Sequence, residues 1–342
     1  VRAVIYTTFG DPNVLQIVER DVPLPEPHEV LVQLHRSGVN PTDWKSRQGS
    51  SDKPAFAEII PNQDGAGVIT AVGSSIDTGR VGERVWIYEA QHGRAYGTAA
   101  EYIAIDAGHT VTLPDTASFD LGASLGVPAI TAHRCLTVGV NGPRRLTPGS
   151  MIDQTVLVAG GAGAVGHAAI ELAGYAGAKT ITTVSSPVKA ELARRAGADV
   201  VINYNDDDAA QQIRSVAPDG VDLIVEVSSV TNLALNEKVL KEGGTISIYA
   251  SGPDPLTLEI RTMMRLNARL QFVYLYLVPL DAKATGIEDI TAALREGVLR
   301  VGDAFGMPLG HFSLEETKRA HQAVEDHFVG KVLIDIVSAN EG

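Results

Sequence analysis

The stretch Val156 to Gly166 (VLVAGGAGAVG) constrains the fold of this chain more than any other. Apolar and small residues that suit a buried parallel strand run into a glycine cluster, and the cluster opens onto a helix-forming segment, Ala168 to Ala176. Gly161, Gly163 and Gly166 fit the spacing G-x-G-x-x-G, with Ala162, Ala164 and Val165 between them. In such a turn the first glycine serves the backbone conformation, the second lets the backbone approach a pyrophosphate, and the third allows close helix-on-strand packing. The helix then presents free N–H groups to phosphates. A tight strand-to-helix connection with no ligand has the same spelling, so the surroundings must decide.

The surroundings change character near Gly126. Before it, short runs punctuated by Gly and Pro (Val1 to Thr7, Glu29 to Ser37, Gly67 to Val72, Arg84 to Tyr88, Ala99 to Ile105) predict a curled, mostly antiparallel β domain over 1–125. Asn40-Pro41 marks the entrance of a short helix, Thr42 to Gln48. After it, strands alternate with helices: Thr180 to Val184, a helix stopping at Gly197, Val200 to Tyr204, Asp208 to Ala217, Leu223 to Val227, Asn232 to Lys241, Thr245 to Tyr249 and Leu270 to Leu277. That alternation predicts an α/β Rossmann domain, a doubly wound parallel sheet, over 126–278. From about Pro279 the tail holds a helix (Ile287 to Glu296), a Gly-rich connection, a second helix (Leu314 to His327) and a strand (Lys331 to Val337). It is too small to stand alone, so 279–342 is expected to complete the first domain.

Composition removes several functions. With 44% apolar and 20% charged residues the chain is globular, and its net charge of −13 argues against nucleic acid or an anionic membrane as partner. One cysteine, Cys135, excludes a disulfide framework and reads as a buried structural thiol. No run is long enough to span a bilayer and no signal-peptide pattern is present, so the expected setting is the cytoplasm.

A Rossmann fold that prefers NAD carries an acidic residue near the end of its second strand, for the ribose hydroxyl. Here that place reads Val184-Ser185-Ser186-Pro187-Val188-Lys189, without a carboxylate. Hydroxyls and a lysine suit a 2′-phosphate, which favours NADPH, although Ser186 as a plain helix cap and Lys189 as a solvated residue would read alike.

Taken together, the chain resembles the medium-chain dehydrogenase/reductase superfamily, and within it the zinc-free NADPH:quinone oxidoreductases similar to zeta-crystallin. The resemblance rests on Ser37-Gly38-Val39-Asn40-Pro41-Thr42-Asp43, Gly65-Ala66-Gly67-Val68 with Val72-Gly73, Gly82-Glu83-Arg84-Val85, Gly97-Thr98-Ala99-Ala100-Glu101-Tyr102, the glycine turn and Gly330-Lys331-Val332. It implies a GroES-like catalytic domain beside the Rossmann domain. Zinc-dependent relatives look like cysteine-containing versions of the loop before Pro41, with Gly-His-Glu where this chain has Asn62-Gln63-Asp64. Asn40 and Gln63 thus stand at the two ligand positions, and neutral amides are poor zinc ligands, so no metal is expected.

The same resemblance places Asn40, Asp43 and Thr131 near a substrate held between the domains. It assigns Ser185, Lys189 and Tyr204 to the 2′-phosphate, Ser251 and Gly252 to the loop passing the nicotinamide, and Lys331 to the cofactor side. Each has a plainer reading, such as a turn at Asn40, packing at Thr131 or a strand end at Tyr204. Trp44 and Lys45 depart from the tyrosine common after the Asp43 position, which leaves the substrate range open. The expected activity is metal-free hydride transfer from NADPH to a quinone. The alternatives are an enone or alkenal double-bond reductase and a non-catalytic, crystallin-like NADPH-binding protein. The apolar run 270–277 is expected to pair with its twin in a homodimer.

Overall fold

The computed structural model describes residues 1–49, 51, 53–205, 208–252 and 254–337. The chain divides into two compact units, Val1–Val127 with Pro308–Gly342, and Pro128–Met307.

The first unit opens with an antiparallel pair, β1 (Arg2–Ile5) and β2 (Gln16–Glu19). Then come β3 (Glu29–Val39), α1 (Pro41–Gln48), β4 (Asp64–Val72), β5 (Arg84–Ile87), β6 (Tyr102–Asp106), β7 (Thr110–Thr112) and the short α2 (Phe119–Gly122). Val30, Val32 and Leu34 alternate along β3 into one core with Ile69 of β4, Val85 and Ile87 of β5, and Ile103 and Ile105 of β6. This period of two is what makes the segment half-buried sheet. α1 begins with Pro41, whose fixed φ suits a first helical residue, and ends at Gly49 with φ +77°.

The helix α3 (Gly126–Thr137) leads into the second unit. The sequence analysis assigns no element to this stretch, which carries Pro128 and the β-branched residues Val127, Ile130 and Thr131, all of weak helix preference. In a first turn, however, a proline lacks only an N–H that would go unpaired anyway.

The second unit runs β8 (Thr155–Ala159), α4 (Ala164–Tyr175), β9 (Lys179–Val184), α5 (Pro187–Arg195), β10 (Val200–Asn203), α6 (Ala209–Val216), β11 (Val221–Glu226), α7 (Ser229–Val239), β12 (Leu240–Ile248), α8 (Ile260–Leu266), β13 (Arg269–Phe272) and α9 (Leu280–Arg295). Its six strands are all parallel, in the order β10-β9-β8-β11-β12-β13. The order reverses between β8 and β11, so ligands belong beyond the carboxyl ends of those strands. Leu157, Ile181, Ile202, Ile224 and Ile246 form the centre of this core.

Two expectations are corrected here. β13 ends at Phe272, where its ladder with β12 also ends (Ile248 opposite Phe272), and Leu275–Leu277 is a 3-10 turn, not strand. The tail also rejoins the first unit later than expected. Residues 279–307 stay with the second unit, where Asp289 of α9 accepts from Leu146 N (2.8 Å) and Arg145 Nε (2.7 Å) and pairs with His133 Nε2 (2.8 Å).

The remainder, β14 (Leu309–Ser313), α10 (Thr317–Glu325) and β15 (Lys331–Asp335), completes the first unit. β15 lies antiparallel to β3 and parallel to β14, giving a seven-stranded sheet β14-β15-β3-β4-β5-β7 with β6 also on β3. Residues 338–342 lie outside the described residues. Among those described, no helix is long and apolar enough to cross a membrane.

Candidate active site and cofactor cradle

The glycine turn follows β8 at the switch point, and the structure redistributes the roles of its glycines. The left-handed backbone falls on Gly160 (φ +71°), one residue before the expected position. Gly161 is required by packing instead: a Cβ there would stand 2.2 Å from Thr182 Oγ1 and 2.7 Å from Ile170 Cδ1. A Cβ on Gly166 would lie 2.4 Å from Gly160 O, so the third glycine brings helix onto strand as expected. Gly163 is the N-cap of α4 and brings no side-chain cap, which leaves N–H groups of the first turn, including those of Ala164 and Val165, without an intrahelical acceptor. Ala162 is buried beneath the turn. A helix of this length opening so is suited to a pyrophosphate, and the cradle fits a dinucleotide.

At the end of β9 a polar cluster forms. Lys189 Nζ donates to Ser185 Oγ at 3.1 Å, and Ser186 caps α5 by accepting from Lys189 N at 3.3 Å. Tyr204, half exposed, is held by its N–H on Val184 O (3.0 Å). Its neighbour Asn205, which sequence reading missed, donates from Nδ2 to Ser185 O at 2.8 Å. An amide directly after the third strand was the available signal. Ser186 thus caps α5, while Lys189 turns to the adjacent Ser185.

Ser251 and Gly252 are exposed just beyond β12, on the carboxyl edge of the same sheet. Thr131 is buried on α3. Cys135 is fully buried, burial pushes its thiol well up, and its carbonyl accepts from Ser247 Oγ at 3.0 Å, which is the structural role expected of it.

In the first unit Asn40 and Asp43 meet, together with two partners that sequence reading did not join to them. Asn40 is the N-cap of α1. Its Nδ2 donates to Asp64 Oδ2 at 2.7 Å, and its Oδ1 accepts from Lys331 Nζ at 2.7 Å. Lys331 Nζ also lies 3.4 Å from Asp64 Oδ2. The other Asp64 oxygen accepts from Val127 N at 2.9 Å, close enough that a Cβ on Gly126 would stand 2.2 Å from it. All four side chains are buried. Lys331, expected on the cofactor side, is hydrogen-bonded to Asn40 and Asp64.

Asp43 is a positioning group in this arrangement. One oxygen accepts from Asn40 N at 2.6 Å, closing the first turn of α1, and the other from Gln63 N at 3.1 Å. Burial, reinforced by Asp64, pushes its carboxyl up to about 8. Burial raises Asp64 as well, opposed chiefly by the Lys331 ammonium, and burial lowers Lys331, opposed by Asp64 and Asp43. With three donors on its two oxygens, Asp64 is the charged partner of Lys331.

A second polar chain fastens Asp64 from behind. His321 Nε2 and Asn62 Oδ1 are 3.0 Å apart, Asn62 Nδ2 donates to Ser37 Oγ (2.9 Å), Ser37 meets Thr98 Oγ1 (2.7 Å), and Thr98 donates to Asp64 O (2.6 Å).

The donor set does not fit zinc. Gln63 turns its amide to Gln91, whose N–H donates to Gln63 Oε1 at 3.1 Å, and the Asn40 oxygen faces an ammonium. Thiolate and imidazole are what a tetrahedral zinc site requires.

Two family models match the chain: an alcohol dehydrogenase GroES-like domain over residues 26–115 and a zinc-binding dehydrogenase over residues 164–293. The quinone oxidoreductase of Lama guanicoe is 30% identical over 325 residues, 94% of this chain and 93% of that protein. The human quinone oxidoreductase is 30% identical over 329 residues, 95% and 94% respectively. Among solved structures, a mycobacterial protein complexed with NADPH is 27% identical with a TM-score of 0.81, covering 98% of this chain and 99% of that one.

Proposed function

Because this chain belongs to the NADPH:quinone oxidoreductase family of medium-chain dehydrogenases/reductases, we propose that it reduces quinones by direct hydride transfer from NADPH without a catalytic metal. The observation that carries the metal-free reading is the Asn40 carboxamide gripped by Lys331 and Asp64 at a position where zinc-dependent relatives hold a ligand.

NADPH, when bound, supplies the hydride. The protein's own work is to hold and orient. The glycine turn and the first N–H groups of α4 receive the pyrophosphate, while Lys189, Ser185, Tyr204 and Asn205 receive the 2′-phosphate. Ser251 and Gly252 line the loop past the nicotinamide. As hydride arrives at the quinone, negative charge gathers on its carbonyl oxygen. An amide nitrogen has two hydrogens, and Asp64 takes one from Asn40, so the second stabilises that oxygen. A proton from solvent completes the hydroquinone. Thr131 contacts the substrate, and Asp43 keeps Asn40 in place.

The protein acts as a homodimer through β13, an edge strand of the six-stranded sheet with Phe272 65% exposed, followed by Tyr274 and Leu277, 60% and 78% exposed. A panel of quinones and α,β-unsaturated carbonyls tests the activity. Quinones turned over in preference support the proposal, enones in preference point to the double-bond reductase, and inertness toward both to a binding protein.

A further inference from the structure

The disagreement between the zinc-binding family model and the residues present has a positive side: a built-in cation stands beside the vacated ligand position. We propose that Lys331 and Asp64 are positioning residues for the reduction, a buried ion pair whose halves grip opposite ends of the Asn40 carboxamide and fix it as the donor to the substrate oxygen. This inference rests on the proposed role of Asn40.

Three observations carry it. An amide can turn over, exchanging its oxygen and nitrogen, but here the two ends face opposite charges. Lys331 Nζ has only donors and demands Oδ1, and a carboxylate has only acceptors and demands Nδ2. The turned-over amide would put an ammonium on an NH₂ and a carboxylate on a carbonyl. The orientation is therefore fixed by charge.

The pair is also built for the purpose. Lys331 reaches Asn40 from β15, 291 residues away, past Gly38 of β3, where a Cβ would stand 3.1 Å from Lys331 Cε and 2.1 Å from Ala123 O. Gly126 makes the matching space for Asp64.

The ammonium acts beyond orientation. Drawing electron density toward Oδ1 makes the Nδ2 hydrogens better donors, and in a buried site such polarisation is little screened. A fixed positive charge thus reaches the substrate oxygen through one amide, in the place where a zinc relative would use its metal. The charged groups facing Lys331 are Asp64 on β4 and Asp43 on α1, and no step of bond making is assigned to any of the three.

The test compares Lys331→Met, the neutral double variant Asp64→Asn with Lys331→Met, and Asn40→Ala. Each is measured for melting temperature, NADPH dissociation constant by fluorescence titration, and kcat and KM with a benzoquinone. Expected is a drop in kcat of about a hundredfold for Lys331→Met and for the folded double variant, as for loss of an oxyanion donor. The NADPH dissociation constant is expected to stay within about twofold of the parent, since the Lys331 ammonium is committed to Asn40 and Asp64. A folded double variant with parental kcat overturns the inference, because the pair would then serve stability only. A weakened NADPH complex with unchanged kcat overturns it too and returns Lys331 to the cofactor. If Asn40→Ala keeps its kcat, the reading of Asn40 falls and takes this inference with it. If Asn40→Ala is impaired while the double variant is not, only the inference falls.

Discussion

Lys331 and Asn40, 291 residues apart in the chain, meet at 2.7 Å between Nζ and Oδ1 in the interior of one unit. The side chain at the head of α1 is thereby set from the last strand of the fold. Asn40 is the group on which the proposed chemistry turns. Replacing it by alanine is expected to lower kcat with a benzoquinone by about a hundredfold or more, the usual loss for an oxyanion donor. NADPH affinity, measured in parallel, is expected to hold.

At the other end of the proposed chemistry, Lys189 and Ser185, 3.1 Å apart, are the pair proposed to receive the 2′-phosphate. A charge-assisted hydrogen bond contributes about 1.5 to 3 kcal/mol, so Lys189→Ala should weaken NADPH by roughly tenfold to a hundredfold and leave NADH nearly unchanged. Titration of both nucleotides checks it. An equal loss for the two would remove the phosphate assignment.

Stability should carry the signature of His321. It is buried, and burial lowers it to about 3 from an ordinary value of 6.5. The folded state keeps it neutral while the unfolded chain takes a proton below about 6.5, so stability is lost as pH falls from there toward 3. Between pH 7 and pH 5 this amounts to about 2 kcal/mol. Asp43, raised to about 8, runs the opposite way: it favours the fold at low pH and loses that contribution as pH rises through 8. The informative quantity is therefore a difference. Urea midpoints of parent and His321→Gln at the two pH values should show the parent losing more on acidification, and parallel losses would sink the assignment.

The proposed homodimer places its interface on β13. Phe272→Glu puts a charge on an edge strand beside an exposed apolar stretch and is expected to give monomers by light scattering behind size exclusion, with the far-ultraviolet dichroism of the parent. A variant that stays dimeric moves the interface elsewhere.

The Rossmann unit was legible because its signals are local. Apolar strands, a glycine turn and Ser186-Pro187 at a helix start each announce themselves within a few residues, and the strand order follows from their alternation. The first unit was legible as β-rich but not in its pairing, since β15 joins β3 from the far end of the chain. The ends of elements were set by partners: β13 stops where β12 stops.

The site divides along the same line. Ser185 and Lys189 are four residues apart and face each other as the sequence implies. Lys331 was assigned to the cofactor side through the resemblance alone, and only the fold reveals its partner, a carboxylate from β4. Asp64 itself was visible merely as the neighbour of Gln63. A buried acid without a nearby base in sequence is the signal that would have asked for a distant cation.

The central claim, direct reduction of quinones by NADPH in a metal-free site, is tested most directly on one sample of purified protein. Nucleotide oxidation with a benzoquinone is followed by the loss of reduced-nicotinamide absorbance, with NADPH and then NADH, after elemental analysis and again after treatment with a zinc chelator. The account predicts rapid oxidation of NADPH, markedly slower oxidation of NADH, no stoichiometric zinc and no effect of the chelator. One zinc per chain with activity abolished by the chelator, or no quinone-dependent oxidation at all, would contradict it.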